Sequence, residues 1–290
     1  MLHGDHLPIR QNPGMAQLQH VALPGTYASD RAHPQPTTVT QAVRWLEERF
    51  PFDGYLHLGT GAQRSMAELV ARHVPAAGRV LDIGCGPCDK TAVLSRIGYR
   101  CTGIDDFGDD WHREGDNLQR IRRFASDAGV RLVEGDGRSL PFAPSSFDAV
   151  MLCDVIEHLH ASPRTLLAAA IGLLQDDGWL LISVPNALNL RKRIDVLRGR
   201  TNYPPYGQFF GSGDAWRGHV REYAWGDLEE LARRLGLADA TVHGHHHMLG
   251  VLPGWARTPY ALLTKPFPAM RDTLVLCGRK PSGWTLPSVA

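Results

Sequence analysis

The sequence predicts an α/β protein whose mostly parallel sheet is covered by helices on both faces. Three observations lead to this prediction. Short apolar runs alternate with helical segments through the centre of the chain, two glycines directly follow the first run, and acidic residues stand at the ends of successive runs. Strands that alternate with helices form βαβ units, and these units build parallel sheets with two buried faces.

The composition is that of an ordinary globular chain. The 290 residues carry a net charge of +1, from 31 Lys and Arg against 30 Asp and Glu, and 43% of them are hydrophobic. No run approaches the roughly 18 apolar residues of a membrane span, and no signal segment is visible. Five cysteines do not indicate a secreted disulfide framework. We therefore expect a cytoplasmic protein without a membrane span. Because the charge is balanced, we do not expect a nucleic-acid partner.

The two ends of the chain are predicted to lie outside the sheet. Residues 1–36 are rich in Pro, His, Gln and Gly without a hydrophobic period, which indicates a flexible tail or a lid that is ordered by ligand. Apolar residues at helical spacing over residues 37–77 predict an N-terminal helical cap. Residues 281–290 are expected to form a C-terminal tail.

The elements between these ends follow from the apolar runs in order. Five strands are predicted at 79–84, 99–105, 130–134, 147–154 and 179–184. Helices are predicted between them at about 88–97, 115–128 and 161–174. After Pro185 a basic run and a Pro/Gly/aromatic stretch over 186–220 indicate an inserted lid. A helix at 225–235 and two further strands at 240–248 and 273–277 would complete one domain over 78–280.

The glycine turn after the first strand is the most informative segment. Gly84 and Gly86 let the backbone pass close to a ligand, beside the free N–H groups of the next helix. A dinucleotide fingerprint needs a third glycine where Asp89 stands. The tetrapeptide Cys85-Gly86-Pro87-Cys88 also has the spacing of a redox dithiol, which requires a thiolate of low pKa. A non-catalytic nucleotide-binding or redox module therefore remains an alternative.

The segment VLDIGCG resembles the cofactor turn of class I S-adenosylmethionine-dependent methyltransferases. The later segments GID, EGD, FDAVMLCDVIEHL and GWLLISVPN are also similar to that family, so the resemblance covers about residues 75–185, and 218–280 more weakly. It implies a Rossmann-like sheet of seven strands and S-adenosyl-L-methionine as cofactor. One departure is Cys88, which stands where many members have a third glycine.

The resemblance also assigns roles to individual residues. Asp82 would lie near the amino-acid end of the cofactor, Asp105 would bind the ribose hydroxyls, and Asp136 would contact the adenine amino group. A carboxylate suits the ribose because it accepts two hydrogen bonds from a vicinal diol. The complete predicted cofactor set is Asp82, Gly84, Cys85, Gly86, Asp105, Asp136, Gly137 and Asp154.

The segment after the fourth strand supplies candidates for catalysis. If a helical turn begins at Asp154, the spacing places Glu157 and His158 on the same face. With His219, this pattern resembles metal-dependent small-RNA 3′-terminal 2′-O-methyltransferases and, more loosely, ubiquinone-pathway O-methyltransferases. That resemblance implies a divalent ion, Mg²⁺, Mn²⁺ or Zn²⁺, held by all four residues. The alternative is a metal-independent enzyme in which His158 orients the substrate or acts as a base. The predicted catalytic residues are His158, His219 and Asp154, and His158 is a site residue in either case.

The predicted acceptor is a small polar molecule with a sugar or natural-product hydroxyl. Arg191 and Arg193 in the basic run could bind a phosphate, although such a run is more often a solvated helix face. Aromatic residues in a Pro/Gly context indicate a lid that lines the substrate, namely Tyr203, Tyr206, Phe209, Phe210 and Trp216. Metal-independent N- or C-methylation and 2′-O-methylation of an RNA 3′ end remain as alternatives.

A histidine cluster near the C-terminus has no assigned role. On a strand, His243, His245 and His247 would share one face and could bind a transition metal. No acid or cysteine is close to them in the sequence, so an edge strand with a polar face is the preferred interpretation.

Overall fold

The computed structural model describes residues 37–288 except for Arg138, Asn202 and residues 213–215. The tail or lid predicted over residues 1–36 therefore lies outside the described residues, as do the last two residues of the chain.

The described residues contain a seven-stranded sheet of the predicted class. Strands β1 to β5 pair in parallel, β6 runs in the same direction, and β7 runs antiparallel between β5 and β6, so that the order is β3-β2-β1-β4-β5-β7-β6. The strands are β1 Arg79–Ile83, β2 Arg100–Asp105, β3 Arg131–Glu134, β4 Phe147–Cys153, β5 Leu174–Pro185, β6 Ala238–His245 and β7 Thr273–Arg279. The strand order reverses between β1 and β4, and ligands of open α/β sheets bind at such a crevice, beyond the carboxyl ends of the strands.

Helices cover both faces of the sheet. They are α1 Val39–Arg49, α2 Gly61–His73, α3 Asp89–Arg96, α4 Asp110–Arg113, α5 Asn117–Ala128, α6 Arg164–Leu173, α7 Leu190–Leu197, α8 Tyr206–Phe210, α9 Trp225–Arg234 and α10 Gly254–Thr264. Short 3₁₀ turns occupy Ile156–His158, Leu249–Val251 and Pro268–Met270. None of the helices that the structure describes is long and apolar enough to cross a membrane.

Alternate residues of each central strand pack into two separate hydrophobic cores, one on each face of the sheet. In β4, Met151 packs into the core under α1, α2, α3 and α5, whereas Val150 and Leu152 pack against α6 and α9 on the opposite face. Successive side chains of a strand point to opposite sides, so a strand between two helical layers must be apolar throughout. This explains why the predicted strands read as continuous apolar runs.

The structure differs from the sequence prediction at the start of β5, at the end of β6, which comes at His245 and not at 248, and at an additional helix, α10. β5 begins at Leu174, five residues before the predicted start, because Leu174 pairs with Phe147 across an irregular register before regular pairing begins at Ala149 and Trp179. The helix α10 was not predicted at all. Pro259 lies inside it, and Pro is unfavourable in helix interiors, so the segment lacks a helical signature.

Candidate active site

The glycine turn connects β1 to α3 by way of left-handed backbone conformations. Gly84 has φ +72°, and a Cβ there would lie 2.5 Å from Cγ2 of Val155, so this position requires glycine. Cys88 also has a positive φ, +64°, immediately before α3. The third glycine of many family members is thus replaced by a cysteine that keeps a left-handed conformation.

The two thiols of this turn do not have the environment of a redox pair. Cys85 and Cys88 are both buried, and their sulfur atoms lie 3.7 Å apart. The hydrogen bond from Cys88 and the burial of the thiol raise the pKa of Cys85 well above its ordinary value. A reactive dithiol needs a depressed thiol pKa and access to solvent, so the local chemistry argues against the redox interpretation.

Asp105 at the end of β2 holds the turn in place. Its Oδ2 accepts a hydrogen bond from the backbone N–H of Gly86 at 2.8 Å, and its Oδ1 accepts one from that of Phe107 at 2.8 Å. Asp136 and Gly137 follow the end of β3, the next strand in the sheet. Because the carboxyl ends of parallel strands meet at one edge, the predicted ribose and adenine residues lie at adjacent strand ends.

Asp82 is buried within β1 and is only 2% exposed. Its Oδ2 accepts a hydrogen bond from the Thr91 hydroxyl at 2.5 Å, and its Oδ1 has no partner among the described residues. Burial raises the pKa of this carboxyl to about 7, although the Thr91 hydrogen bond lowers it. In this structure Asp82 therefore connects β1 to α3 beneath the glycine turn.

Asp154 and Lys90 form a charged pair at the end of β4. Lys90 Nζ lies 3.5 Å from Asp154 Oδ2 and 3.6 Å from Asp89 Oδ2. Burial by itself would lower the pKa of Lys90. The negative charges of the neighbouring carboxylates have the larger combined effect and hold this pKa well above its ordinary value. Sequence reasoning missed Lys90, although its position directly after the glycine turn and Asp89 was a usable signal.

The structure brings Glu157, His158 and His219 together but leaves Asp154 outside the group. One ligand atom from each of the three lies within 4.8 Å of the others. In this structure Asp154, the fourth member of the predicted metal set, therefore lies outside the group. Residues 156–158 form a 3₁₀ turn rather than an α-helix, and Asp154 has φ +58°, so its side chain is directed to Lys90.

The backbone of Glu157 positions His219. Its carbonyl oxygen accepts hydrogen bonds from the N–H groups of Val220 at 2.7 Å and Arg221 at 3.1 Å. These bonds fix the segment of His219, Val220 and Arg221 against the turn at the end of β4. As a result, the rings of His158 and His219 lie 4.9 Å apart although 61 positions separate them in the sequence.

Each imidazole of this pair has its Nδ1 atom engaged. Nδ1 of His158 lies 2.9 Å from the carbonyl oxygen of Arg217, and Nδ1 of His219 lies 2.9 Å from Oε1 of Glu222. Glu222 is also paired with Lys192 of α7. Burial would raise the pKa of Glu222, but the hydrogen bonds from His219 and Lys192 lower it. Sequence reasoning missed Glu222 and Lys192 as partners, because 30 residues separate them.

The carboxyl of Glu157 is buried without compensation. The residue is 0% exposed, and neither of its side-chain oxygens has a hydrogen-bond partner within the part of the chain that the structure describes. Burial, with the nearby charge of Asp154, raises its pKa to about 8. An unpaired buried carboxylate is unfavourable, so this group must hold its proton or receive a cation.

The predicted aromatic lid residues differ in their contacts with this site. A cavity of about 310 Å³ beside His219 is lined by Tyr203, with Glu222, Arg221 and Ala187 among its other walls. Trp216 donates its Nε1–H to the carbonyl of His219 at 3.1 Å and contacts Phe209. Tyr206 and Phe210 pack on each other and are largely exposed.

The basic run forms helix α7. Arg193 donates its Nε–H to the carbonyl of Leu188 at 2.6 Å, and Arg191 is partly exposed on the same helix. A further contact that sequence reasoning missed joins Arg217, just after the undescribed residues 213–215, to Asp109 at 2.8 Å. That ion pair connects the end of the inserted segment to the loop after β2.

Comparison with known proteins agrees with this geometry. Residues 81–182 match a family described as the methyltransferase domain. Residues 81–182 of the chain therefore form a methyltransferase domain. The matched segment begins inside β1 and ends inside β5, so it includes the glycine turn, Asp105, Asp136 and the turn with Glu157 and His158.

Relatives with assigned functions are similar to the methyltransferase domain. A fatty-acid O-methyltransferase of Mycolicibacterium smegmatis is 32% identical over 123 residues, which cover 41% of this chain and 39% of that protein. A ubiquinone biosynthesis O-methyltransferase of Xanthomonas axonopodis pv. citri is 31% identical over 120 residues, covering 40% of this chain and 46% of that protein. The chain thus spans less than half of the length of these two relatives.

A solved structure shares the fold of the methyltransferase domain. The S-adenosylmethionine-dependent methyltransferase of Thermotoga maritima superposes with a TM-score of 0.52 at 18% identity, covering 81% of this chain and 98% of that one. At this level of identity the similarity extends to the fold alone.

Proposed function

We propose that the protein transfers the methyl group of S-adenosylmethionine to a hydroxyl of a small polar acceptor, such as a sugar or a natural product. The observation that carries this proposal is the pair of imidazoles of His158 and His219 at the carboxyl end of β4. Both rings have Nδ1 engaged, so Nε2 is the nitrogen that each can offer to an acceptor.

The cofactor is proposed to lie over the glycine turn. Asp105 would accept the ribose hydroxyls, and Asp136 with Gly137 would border the adenine at the end of β3. Asp154 and Lys90 would face the amino-acid part, whose carboxylate and ammonium complement their opposite charges. Cys85 would contribute its backbone to the turn, since its side chain is buried. This placement supports attack on the methyl group from the side of His158 and His219.

The reaction requires a positioned nucleophile and an acceptor for one proton. The acceptor oxygen attacks the methyl carbon in line with the carbon–sulfur bond, and the electrons of that bond remain on sulfur as the sulfonium becomes a neutral thioether. The hydroxyl proton passes to Nε2 of an imidazole. His219 is the better base of the two, because Glu222 holds its Nδ1–H and stabilises the imidazolium that forms.

Assistance by a divalent metal is a second candidate, supported by the uncompensated carboxyl of Glu157. Glu157, His158 and His219 offer one oxygen and two nitrogens, a donor set that suits Zn²⁺ or Mn²⁺. Hydrogen bonding of both Nδ1 atoms is the arrangement that orients metal-binding histidines through the other nitrogen. A bound ion would lower the pKa of an acceptor hydroxyl.

Other acceptors are weaker candidates. N- or C-methylation needs no general base, so it leaves the orientation of His219 by Glu222 unexplained. RNA would need a continuous basic surface, whereas Lys192 of the basic run is already paired with Glu222.

The primary test has two stages. Calorimetric titration with S-adenosylhomocysteine should give binding at one site. A panel of sugars and phenols with methyl-labelled S-adenosylmethionine should then identify an acceptor. His219→Gln should lower kcat by about 100-fold or more and leave S-adenosylhomocysteine affinity within a few-fold of wild type. His112→Gln, at a buried histidine of α4, is the matched control. An unchanged kcat in His219→Gln would contradict the proposed base.

The metal candidate has a separate test. Treatment with a chelator should abolish turnover, and Zn²⁺ or Mn²⁺ should restore it in wild type but not in Glu157→Gln. Unchanged turnover after chelation would remove metal assistance and leave His219 as the base.

A further inference from the structure

We infer that His73, His243 and Cys277 form a second metal site, with a donor set suited to Zn²⁺, under the edge of the sheet. One ligand atom from each of these residues lies within 4.8 Å of the others. The cluster joins α2 to β6 and β7 and shares no residue with the group at Glu157. The inference is independent of methyl transfer.

The strand register itself brings two of the three residues together. β6 and β7 are antiparallel, and Thr241 stands opposite Cys277 while His243 stands opposite Val275. His243 and Cys277 are therefore diagonal neighbours on the same face of the sheet, close enough for their side chains to meet. Sequence analysis found no cysteine near the histidine cluster, because the cysteine lies on the neighbouring strand.

Helix α2 supplies the third residue from its C-terminal end. His73 is the last residue of the helix, and its ligand atom lies near that of His243. About two turns earlier in the helix, Oγ of Ser65 lies 2.7 Å from Nε2 of His247, just beyond the end of β6. These two contacts join α2 to β6 and to the segment that follows it.

The histidine rings are fixed in place and are in the form that binds metals. The ring of His73 stacks on Trp179 at 4.0 Å, and Oγ1 of Thr241 lies 3.0 Å from Nε2 of His243. Burial, with a contribution from Arg72, lowers the pKa of both imidazoles, so both are neutral at pH 7. A neutral imidazole is the ligand form.

One nitrogen of the cluster is buried without a hydrogen-bond partner among the described residues, and its sulfur belongs to a fully buried thiol. Nε2 of His73 is buried and has no hydrogen-bond partner in the described ranges. The thiol of Cys277 is 0% exposed, and burial raises its pKa to about 12. Binding of a divalent cation would satisfy His73, displace the thiol proton into solvent and compensate the thiolate. Two nitrogens and one thiolate form a borderline-soft donor set that favours Zn²⁺ over Mg²⁺ or Ca²⁺.

The expected role of this site is to attach α2 to the edge strand. β6 lies at one end of the strand order and pairs with a single neighbour, β7. A metal bound by residues from α2, β6 and β7 would connect the helix to the two paired strands. Its removal should therefore loosen the edge strand before the rest of the sheet.

Cobalt titration of the full-length protein tests the inference, because Co²⁺ bound by a thiolate gives a near-ultraviolet charge-transfer band. The group at Glu157, His158 and His219 contains no cysteine and cannot give this band, and the Cys277→Ser variant distinguishes Cys277 from the other cysteines of the chain. After removal of metals by a chelator under reducing conditions, Co²⁺ should produce the band and Zn²⁺ should displace it. Cys277→Ser should abolish the band.

Two histidine variants and a cysteine control complete the experiment. His73→Asn and His243→Asn should weaken Co²⁺ binding by more than about 100-fold, since loss of a ligand exceeds the effect of losing its supporting partner. Cys101→Ala, at a buried cysteine of β2, should keep the band. If Cys277→Ser fails to fold, the two histidine variants decide the result. Absence of the band in wild type, or its persistence in Cys277→Ser, would overturn the inference.

Discussion

Nδ1 of His219 lies 2.9 Å from Oε1 of Glu222, and the same carboxylate is paired with Lys192 of α7. This arrangement fixes the tautomer of His219 and connects the imidazole to the basic helix of the inserted segment. A carboxylate that holds a histidine in this way controls its orientation and its basicity.

Glu222→Gln is expected to lower the rate of methyl transfer by about 10- to 100-fold, because the amide cannot stabilise the imidazolium. Initial rates at saturating cofactor measure this effect. Glu229→Gln is the matched control, since Glu229 accepts a hydrogen bond from Trp225 on α9 rather than from the site. Equal rates in the two variants would separate Glu222 from catalysis.

Asp105→Asn should weaken the binding of S-adenosylhomocysteine by about 10- to 100-fold. The amide retains the shape of the side chain but loses its negative charge. That charge strengthens the hydrogen bonds accepted from Gly86, from Phe107 and from a ribose hydroxyl. A hydrogen bond to a charged group contributes roughly 1.5–3 kcal/mol. Titration calorimetry measures the affinity. Asp106→Asn, whose carboxylate accepts from Gly108, should bind within a few-fold of wild type.

Gly84→Ala should destabilise the apo protein more than Gly115→Ala does. Both glycines have positive φ, so each alanine carries the left-handed penalty of roughly 1–2 kcal/mol. Only Gly84 adds a clash, because its new Cβ would lie 2.5 Å from Val155, whereas Gly115 has no described atom within 4 Å. Urea unfolding of both variants measures the difference. Equal free energies of unfolding would show that Val155 moves aside at little cost.

The buried carboxyl of Asp82 predicts a pH-dependent stability. Burial raises its pKa to about 7, so the folded protein keeps this proton to a higher pH than the unfolded chain does. The stability that Asp82 contributes is therefore complete below about pH 4 and is lost as the pH rises towards about 7. The wild-type protein should lose up to about 4 kcal/mol of unfolding free energy over this pH range, and Asp82→Asn should not show this loss.

Urea unfolding at several pH values between about 4 and 8 compares the two proteins. Thr91→Val provides an internal check, because the Thr91 hydrogen bond lowers the pKa of Asp82 and its removal should extend the loss to higher pH. Parallel pH profiles for wild type and Asp82→Asn would contradict the prediction.

The ion pair between Arg217 and Asp109 should have a small effect that depends on salt. Both side chains are more than half exposed, and such pairs contribute about 1 kcal/mol or less. Arg217→Met should speed the dissociation of S-adenosylhomocysteine by less than about 5-fold at low salt, with no difference at about 1 M salt. Stopped-flow displacement measures this rate. A larger effect that persists in salt would indicate a direct role of Arg217 in binding.

Much of the fold, and the grouping of the predicted cofactor residues, could be predicted from the sequence because both depend on local patterns. Strands covered on both faces are largely apolar, so β1 to β5 were found, and their carboxyl ends meet at one edge, which places Gly84, Asp105 and Asp136 at that edge. The short helix α4 and the helix α10 were not predicted, and in α10 the helical signature is disrupted by Pro259.

The tertiary structure alone decided which distant residues meet. The sequence indicated that Glu157, His158 and His219 belong to one site, but the φ of +58° at Asp154 excluded that residue from their group. The sequence could not show that Glu222 contacts both His219 and Lys192, or that His73 meets Cys277. Such contacts depend on how helices and strands pack and on strand register. Periodicity along the chain determines each element, whereas the geometry between elements determines the chemistry at their junctions.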